Sequence, residues 1–286
     1  MTKGMKKPQT RNGIRRRAYE LIKEDKTFKV ETCSRRSLDV GDCSLDMESD
    51  QKQPKAQSAS SKKHVMALLL DTNIQRLLGF NPLSTELVDY ITLLATTASL
   101  KQPVSPEVKS YSDAVYLNYY KLGLSLQFVP KDGYKPRSGL KQSDLENEKL
   151  VLDSIYLYNS PAKNPNTSPK GPSTRSAEKI FLSYPVSPFS LILNPNAKDK
   201  DGKLLTRSST LEVDADTSGK DFVKRLLEPD RKGGGAGPSS GSIGIWCDWS
   251  MDGIMVEFDG ATGPQAWERG KDAVWKVITI FAPLSR

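Results

Sequence analysis

The chain has 286 residues, 37% of them hydrophobic, with 18 prolines and 20 glycines. That apolar share is low for a chain packed from end to end, and no run approaches the roughly 20 apolar residues that span a bilayer. Residues 1–36 carry 12 Lys/Arg against 4 Asp/Glu, a surplus equal to the formal +8 of the whole chain. The basic character therefore belongs to a tail, and the near-neutral remainder does not read as a nucleic-acid-binding domain.

Residues 1–63 are expected to form a disordered basic tail and linker, in which Ile14, Ala18, Leu21 and Ile22 place one short helical stripe. The charges at the start are not followed by an apolar stretch, which argues against a secretory signal; a mitochondrial presequence is the minority reading. The expected location is intracellular, cytoplasmic or nuclear. Arg15, Arg16 and Arg17 suit a nuclear-import signal or a weak nucleic-acid contact. With no aromatic platform beside them, sequence-specific recognition is not expected.

Order is expected from Val65. A first module, 65–160, opens with an apolar face at Leu68, Leu69, Ile74, Leu77 and Leu78, stopped by Gly79. A second helix follows, capped by Ser84 or Thr85, with Leu87, Val88, Ile91, Leu94 and Ala95 at helical spacing. Two short runs then meet at Lys121–Gly123 as a hairpin, and Leu124, Leu126 and Phe128 alternate with Ser125 and Gln127 as in a sheet with one wet face. After a polar loop over 130–148 comes a third strand, LVLDSIYLY. Residues 161–210 form a crossover, where Pro185 and Pro188 demote KIFLSYPVSPFSLIL to an edge strand or extended connection. A second module, 211–286, holds a helix capped by Thr217 or Ser218, with Phe222, Val223, Leu226 and Leu227 packing and Pro229 stopping it. A glycine loop, RKGGGAGPSSGS, then leads to a three-stranded meander.

The two modules repeat one text. YLNYYKLGLSLQF from Tyr116 aligns without a gap with WCDWSMDGIMVEF from Trp246, pairing Gly123 with Gly253 and Phe128 with Phe258. LVLDSIYLY likewise matches AVWKVITIF. The expected fold is α+β: two related modules, each with one or more helices packed on a three- or four-stranded antiparallel sheet.

Catalytic chemistry finds little to rest on. His64 is the only histidine and has no spaced Asp, Glu or Cys around it; Cys33, Cys43 and Cys247 give neither a disulfide framework nor a zinc spacing. No metal and no cofactor is expected. Arg231, Lys232, Gly233, Gly234 and Gly235 are a candidate anion loop through their backbone amides, although the Lys precedes the glycines and the run feeds a strand, unlike a P-loop. A flexible helix-to-strand connection is its plainer reading. Asp248 and Glu257, on opposing arms of one hairpin, are an alternative acidic pair, but Asn118 and Gln127 replace them in the first copy. The aromatic stripe carries more weight: Tyr116, Tyr119, Tyr156, Trp246, Trp249 and Trp275 divide between core and a recognition surface.

The run KDFVKRLLEPD, then SIGIWCDWSMDGIMVEF, then AVWKVITIF resembles the helix-plus-meander modules of the β-lactamase-inhibitor-protein and SmpA-like group. That resemblance covers Thr217–Phe281 well and Leu83–Tyr158 less well, and implies a sheet surface that binds other proteins. The expected function is a non-catalytic protein-interaction module with a protein partner. The alternatives are an enzyme or small-ligand binder using a cleft between the modules, and nucleic-acid association through the tail.

Overall fold

The computed structural model describes residues 73–101, 103–160, 181–199, 201–235, 243–258, 268 and 270–284. All belong to one compact unit, His64–Arg286. The tail, His64, Trp267 and the loop over 161–176 lie outside the described residues.

Ten strands are present among the described residues: β1 (Glu107–Ser110), β2 (Val115–Tyr119), β3 (Leu124–Pro130), β4 (Leu150–Tyr158), β5 (Phe189–Ile192), β6 (Thr210–Val213), β7 (Arg231–Gly235), β8 (Ile243–Trp249), β9 (Ile254–Phe258) and β10 (Trp275–Phe281). Two α-helices, α1 (Thr85–Thr97) and α2 (Gly219–Leu226), accompany them. Eight strands form one antiparallel sheet in the order β1-β2-β3-β4-β10-β9-β8-β7, and β5 pairs with β6 in a second, small sheet.

This corrects the expectation of two separate modules. The third strands of the two meanders pair with each other, from Val277 opposite Tyr158 to Phe281 opposite Ser154. An open meander would leave the outer backbone groups of β4 and of β10 unpaired; joining them satisfies both edges at once. The correspondence between the meanders survives inside the single sheet. Gly123 and Gly253 both take positive φ, 55° and 68°. The carbonyl of Gly123 accepts from Tyr158 N at 2.9 Å, and that of Gly253 from Phe281 N at 2.8 Å. Register shifts also fall at matching places, skipping Asp153 in β4 and Lys276 in β10.

One face of the sheet carries the apolar core. Leu117, Leu126, Leu157, Ile278, Val256 and Ile245 are fully or almost fully buried, and they pack with Leu87 and Leu94 of α1 and Phe222 and Leu226 of α2. Val88, at 48% exposure, and Val223, at 42%, turn outward instead, so each helix buries a narrower stripe than its sequence suggests. The β5–β6 pair adds Phe189, Leu191, Leu211 and Val213 to the same core.

Three local expectations change. Of the first apolar segment, the described part is only a 3-10 turn, Ile74–Leu77, whose cap Asn73 accepts from Gln75 N. The helix α2 ends at Leu226, before Pro229, where Leu227 turns to φ 69°. The run Arg231–Gly235 is the outermost strand of the sheet, whereas it read as a loop.

Candidate interaction surface at the end of the sheet

The second face of the sheet is polar, and it is buried too. Cross-strand register sets Asn118 beside Ser125, Ser125 beside Tyr156, Tyr156 beside Thr279, Thr279 beside Met255, Met255 beside Asp248 and Asp248 beside Arg231. This row crosses from β2 to β7. A neighbouring row holds Tyr116, Gln127 and Ser154, and another holds Val277, Glu257, Trp246 and Gly233. The alternation expected to mark a wet face therefore marks an interior polar layer: Ser125 and Gln127 are 1% and 0% exposed.

Much of that layer is satisfied from within. Ser125 Oγ donates to Asn118 Oδ1 at 2.7 Å, and Tyr156 Oη donates to Gln127 Oε1 at 2.6 Å. Gln127 Nε2 and Thr279 Oγ1 are buried without a hydrogen-bond partner among the described residues. Tyr116 lies edge-on to Tyr111 with ring centroids 6.1 Å apart. Burial first, then the negative fields of Tyr156 and Asp113, holds the Tyr116 phenol far above its ordinary ionisation range.

These positions sort the candidate residues. Tyr119, Trp249 and Trp275 belong to the apolar core, which removes them from an open recognition surface. Trp249 Nε1 donates to Leu227 O at 3.0 Å and Trp275 Nε1 to Asp214 O at 2.8 Å, so each indole N–H is spent on an interior carbonyl. Tyr116 and Tyr156 sit in the polar layer at 4% and 8% exposure. Trp246 alone among the six is half-buried. Its register partner is Gly233 on β7, and a Cβ at Gly233 would come within 2.4 Å of the indole. The missing side chain is what seats the ring.

The glycine run serves the sheet in a second way. Gly234 takes φ 100° at the bulge between Gly233 and Gly235, and a Cβ there would reach within 2.2 Å of Gly244 O. The expected anion cradle thus becomes a strand in which packing requires Gly233 and Gly234. Arg231 is committed to the carboxylate of Asp248, which also accepts from Ser250 Oγ at 2.8 Å. Asp248 and Glu257 share a face but are not direct partners: Asp248 faces Met255, and Glu257 faces Trp246.

Among the described residues no group of three or more His, Cys, Asp or Glu is placed to hold a metal ion. No helix among them is long and apolar enough to cross a membrane. A cavity of about 520 Å³ is lined by Asp132, Tyr134, Lys135, Arg137, Glu146 and Lys149 of the loop between β3 and β4, and none of the candidate residues borders it. Reading the sequence missed Gly233 as the seat of Trp246, because a glycine run carries no periodicity to announce a strand. It also missed Asp252, a buried acid within the second hairpin turn. No family model, curated protein or solved structure matches this chain.

Proposed function

We propose that this protein is a non-catalytic protein-interaction module whose contact point is Trp246, at the β7 end of the large sheet. One observation carries the reading: five of the six candidate aromatics are shut into the protein, and Trp246 is left half-buried on β8 against Gly233 of β7. A tryptophan held rigid by its own scaffold and still reachable offers large contact area at small entropic cost, the profile of an interface anchor. Half-buried Met255 and exposed Arg231 lie beside it on the same face. The reading keeps the sheet-borne protein binding implied by the resemblance to the β-lactamase-inhibitor-protein and SmpA-like group.

The enzyme alternative has less support. Asp248 is engaged by Arg231 and Ser250, and a continuous sheet stands where that alternative places a cleft. The test is photo-cross-linking with the full chain, carrying a benzophenone amino acid at Lys232 or, as control, at exposed Lys203. A discrete protein adduct is expected from position 232 alone, reduced tenfold or more by Trp246→Ala. Equal labelling at both positions, or substrate turnover abolished by Glu257→Gln in a folded protein, overturns the reading.

A further inference from the structure

We infer that the loop between β3 and β4 holds a small-ligand site, separate from the Trp246 contact, for a phosphate ester of a small amine, free or as a lipid headgroup. The site is the cavity of about 520 Å³ in that loop, a volume within the range of small-molecule pockets. All of residues 130–149 are described, and no residue of β7 or β8 borders the cavity.

The backbone of the loop is held at several points. Its ends meet where Lys131 N donates to Lys149 O at 2.9 Å. A tight turn, with Asp132 at φ 54° and Gly133 at φ 76°, then brings Tyr134 N to Lys131 O at 3.0 Å. Tyr134 Oη accepts from Glu146 N at 3.3 Å, crossing the loop. Further out, buried Ser110 of β1 donates to Arg137 O at 2.7 Å and accepts from Leu140 N at 2.8 Å. Pro136 is buried between exposed Lys135 and Arg137. Both cations thus stand on anchored backbone, which lowers the entropic cost of binding there.

Charge decides what fits. Three acids, Asp132, Asp144 and Glu146, and three bases, Lys135, Arg137 and Lys149, line the cavity, so its formal charges cancel. They are not mixed evenly. Glu146 pairs with Lys149 at 2.6 Å, and Asp132 acts on the same ammonium. Among the described residues, neither Lys135 nor Arg137 has an acid within salt-bridge range. One part of the wall is therefore doubly positive, and the part around Asp132, Asp144, Glu146 and Lys149 is negative by two. A phosphate dianion suits the first, where a guanidinium engages two oxygens at once. An ammonium suits the second, where the half-buried ring of Tyr134 offers a cation–π surface. A ligand carrying both ends matches the wall as neither end alone does.

The experiment is isothermal titration calorimetry of the full chain with O-phosphoethanolamine, glycerol 3-phosphate, inorganic phosphate and ethanolamine. The first is expected to bind at least tenfold more tightly than each of the others. Arg137→Gln should weaken it at least fivefold, and Asp132→Asn should erase its advantage over glycerol 3-phosphate. Both side chains are exposed, and asparagine tolerates the φ of 54° at position 132, so these exchanges spare the fold. Lys203→Gln, at an exposed lysine outside the cavity, should change nothing. Equal affinity for the four compounds, equal losses from Lys203→Gln and Arg137→Gln, or no saturation at millimolar concentration overturns the site. Phosphatidylethanolamine vesicles separate the two sources: co-sedimentation abolished by Arg137→Gln assigns a lipid headgroup, and its absence a free ester. The cross-link at position 232 is expected to survive Arg137→Gln, so either site can fail without the other.

Discussion

Arg207 and Asp252 form an ion pair at 2.6 Å with side chains 6% and 3% exposed. Asp252 sits in the turn between β8 and β9, where its Oδ1 also accepts from Asn194 N at 2.9 Å; Arg207 donates a second bond, to Leu226 O at 3.1 Å. Four segments distant in sequence are thereby tied at one point. Removing one partner strands a charge in the interior, so Arg207→Met is expected to cost about 3–5 kcal/mol in urea denaturation. The double variant Arg207→Met/Asp252→Asn removes both charges and is expected to be less destabilised than Arg207→Met alone. Additive losses would show that the pair is not coupled.

Gly253 admits no side chain. A Cβ there would stand 2.0 Å from Phe281 O, and one at Gly123 would stand 2.4 Å from Leu182 O. Both positions also hold positive φ. Gly253→Ala is expected to lose about 3 kcal/mol or more, combining backbone strain with a clash against main chain that cannot rotate away. Gly133→Ala is the comparison: its φ is 76° with nothing within 4 Å of the added carbon, so only the conformational cost of about 1 kcal/mol remains. Equal losses at the two sites, measured by thermal or urea unfolding, would refute the steric account.

Alkaline pH should weaken the fold in a defined window. Burial pushes the Cys247 thiol from 9.0 up to about 11, with Lys232 pulling weakly the other way. Burial likewise pushes the Tyr119 phenol from 10.0 up to about 12. In both cases the unfolded chain ionises first, so the stabilisation of the protonated native form is complete below about pH 9 and is lost as pH rises toward about 12. Cys247→Ala should flatten the first part of that decline. Alkylation of Cys247 at pH 8, followed by peptide mass spectrometry, should be slow in the native protein and fast in denaturant.

The start of α2 gives the acid counterpart. Ser218 N donates to Asp221 Oδ2 at 3.0 Å and the Ser218 hydroxyl donates to the same oxygen. Those two bonds hold the carboxyl below its ordinary value of 3.8. Its contribution is present above that value and lost as pH falls through the lower, folded one. Asp221→Asn is expected to cost about 0.5–2 kcal/mol at pH 7, as a helix cap does, with the gap to the parent narrowing as pH falls below the ordinary carboxyl value. A constant gap across that range would rule out the charged hydrogen bonds as its source.

The strands that alternate in aromatic and branched residues were readable, and so were the two glycine turns, because period-two burial and positive φ leave marks in residue type. What β4 and β10 do with their outer edges was not readable: backbone pairing between them depends on no side chain, and Tyr158 opposite Val277 has no local sequence signature. The short strands β1 (EVKS) and β6 (TLEV) lack the apolar run that would reveal them. The candidate surface was half legible. Aromatic content singled out strands of the large sheet, but Ser125 and Gln127 read as solvent-facing when both are buried, so Tyr116 and Tyr156 were placed too far outward. The role of Gly233 depended on its register against Trp246, a relation between chain segments rather than a property of either.

The pairing of β4 with β10 has a kinetic consequence. Ser154 and Phe281 are 127 positions apart, yet they meet at the middle of the sheet, while the outer pairs β2–β3 and β8–β9 are local hairpins. Local hairpins close in microseconds, whereas a loop of this length must surrender far more chain freedom before its first contact is rewarded. The sheet is therefore expected to assemble from its flanks inward, with the central seam zipped last. In a pulse-labelling refolding experiment, amides of the β2–β3 and β8–β9 hairpins should gain protection ahead of those joining β4 to β10.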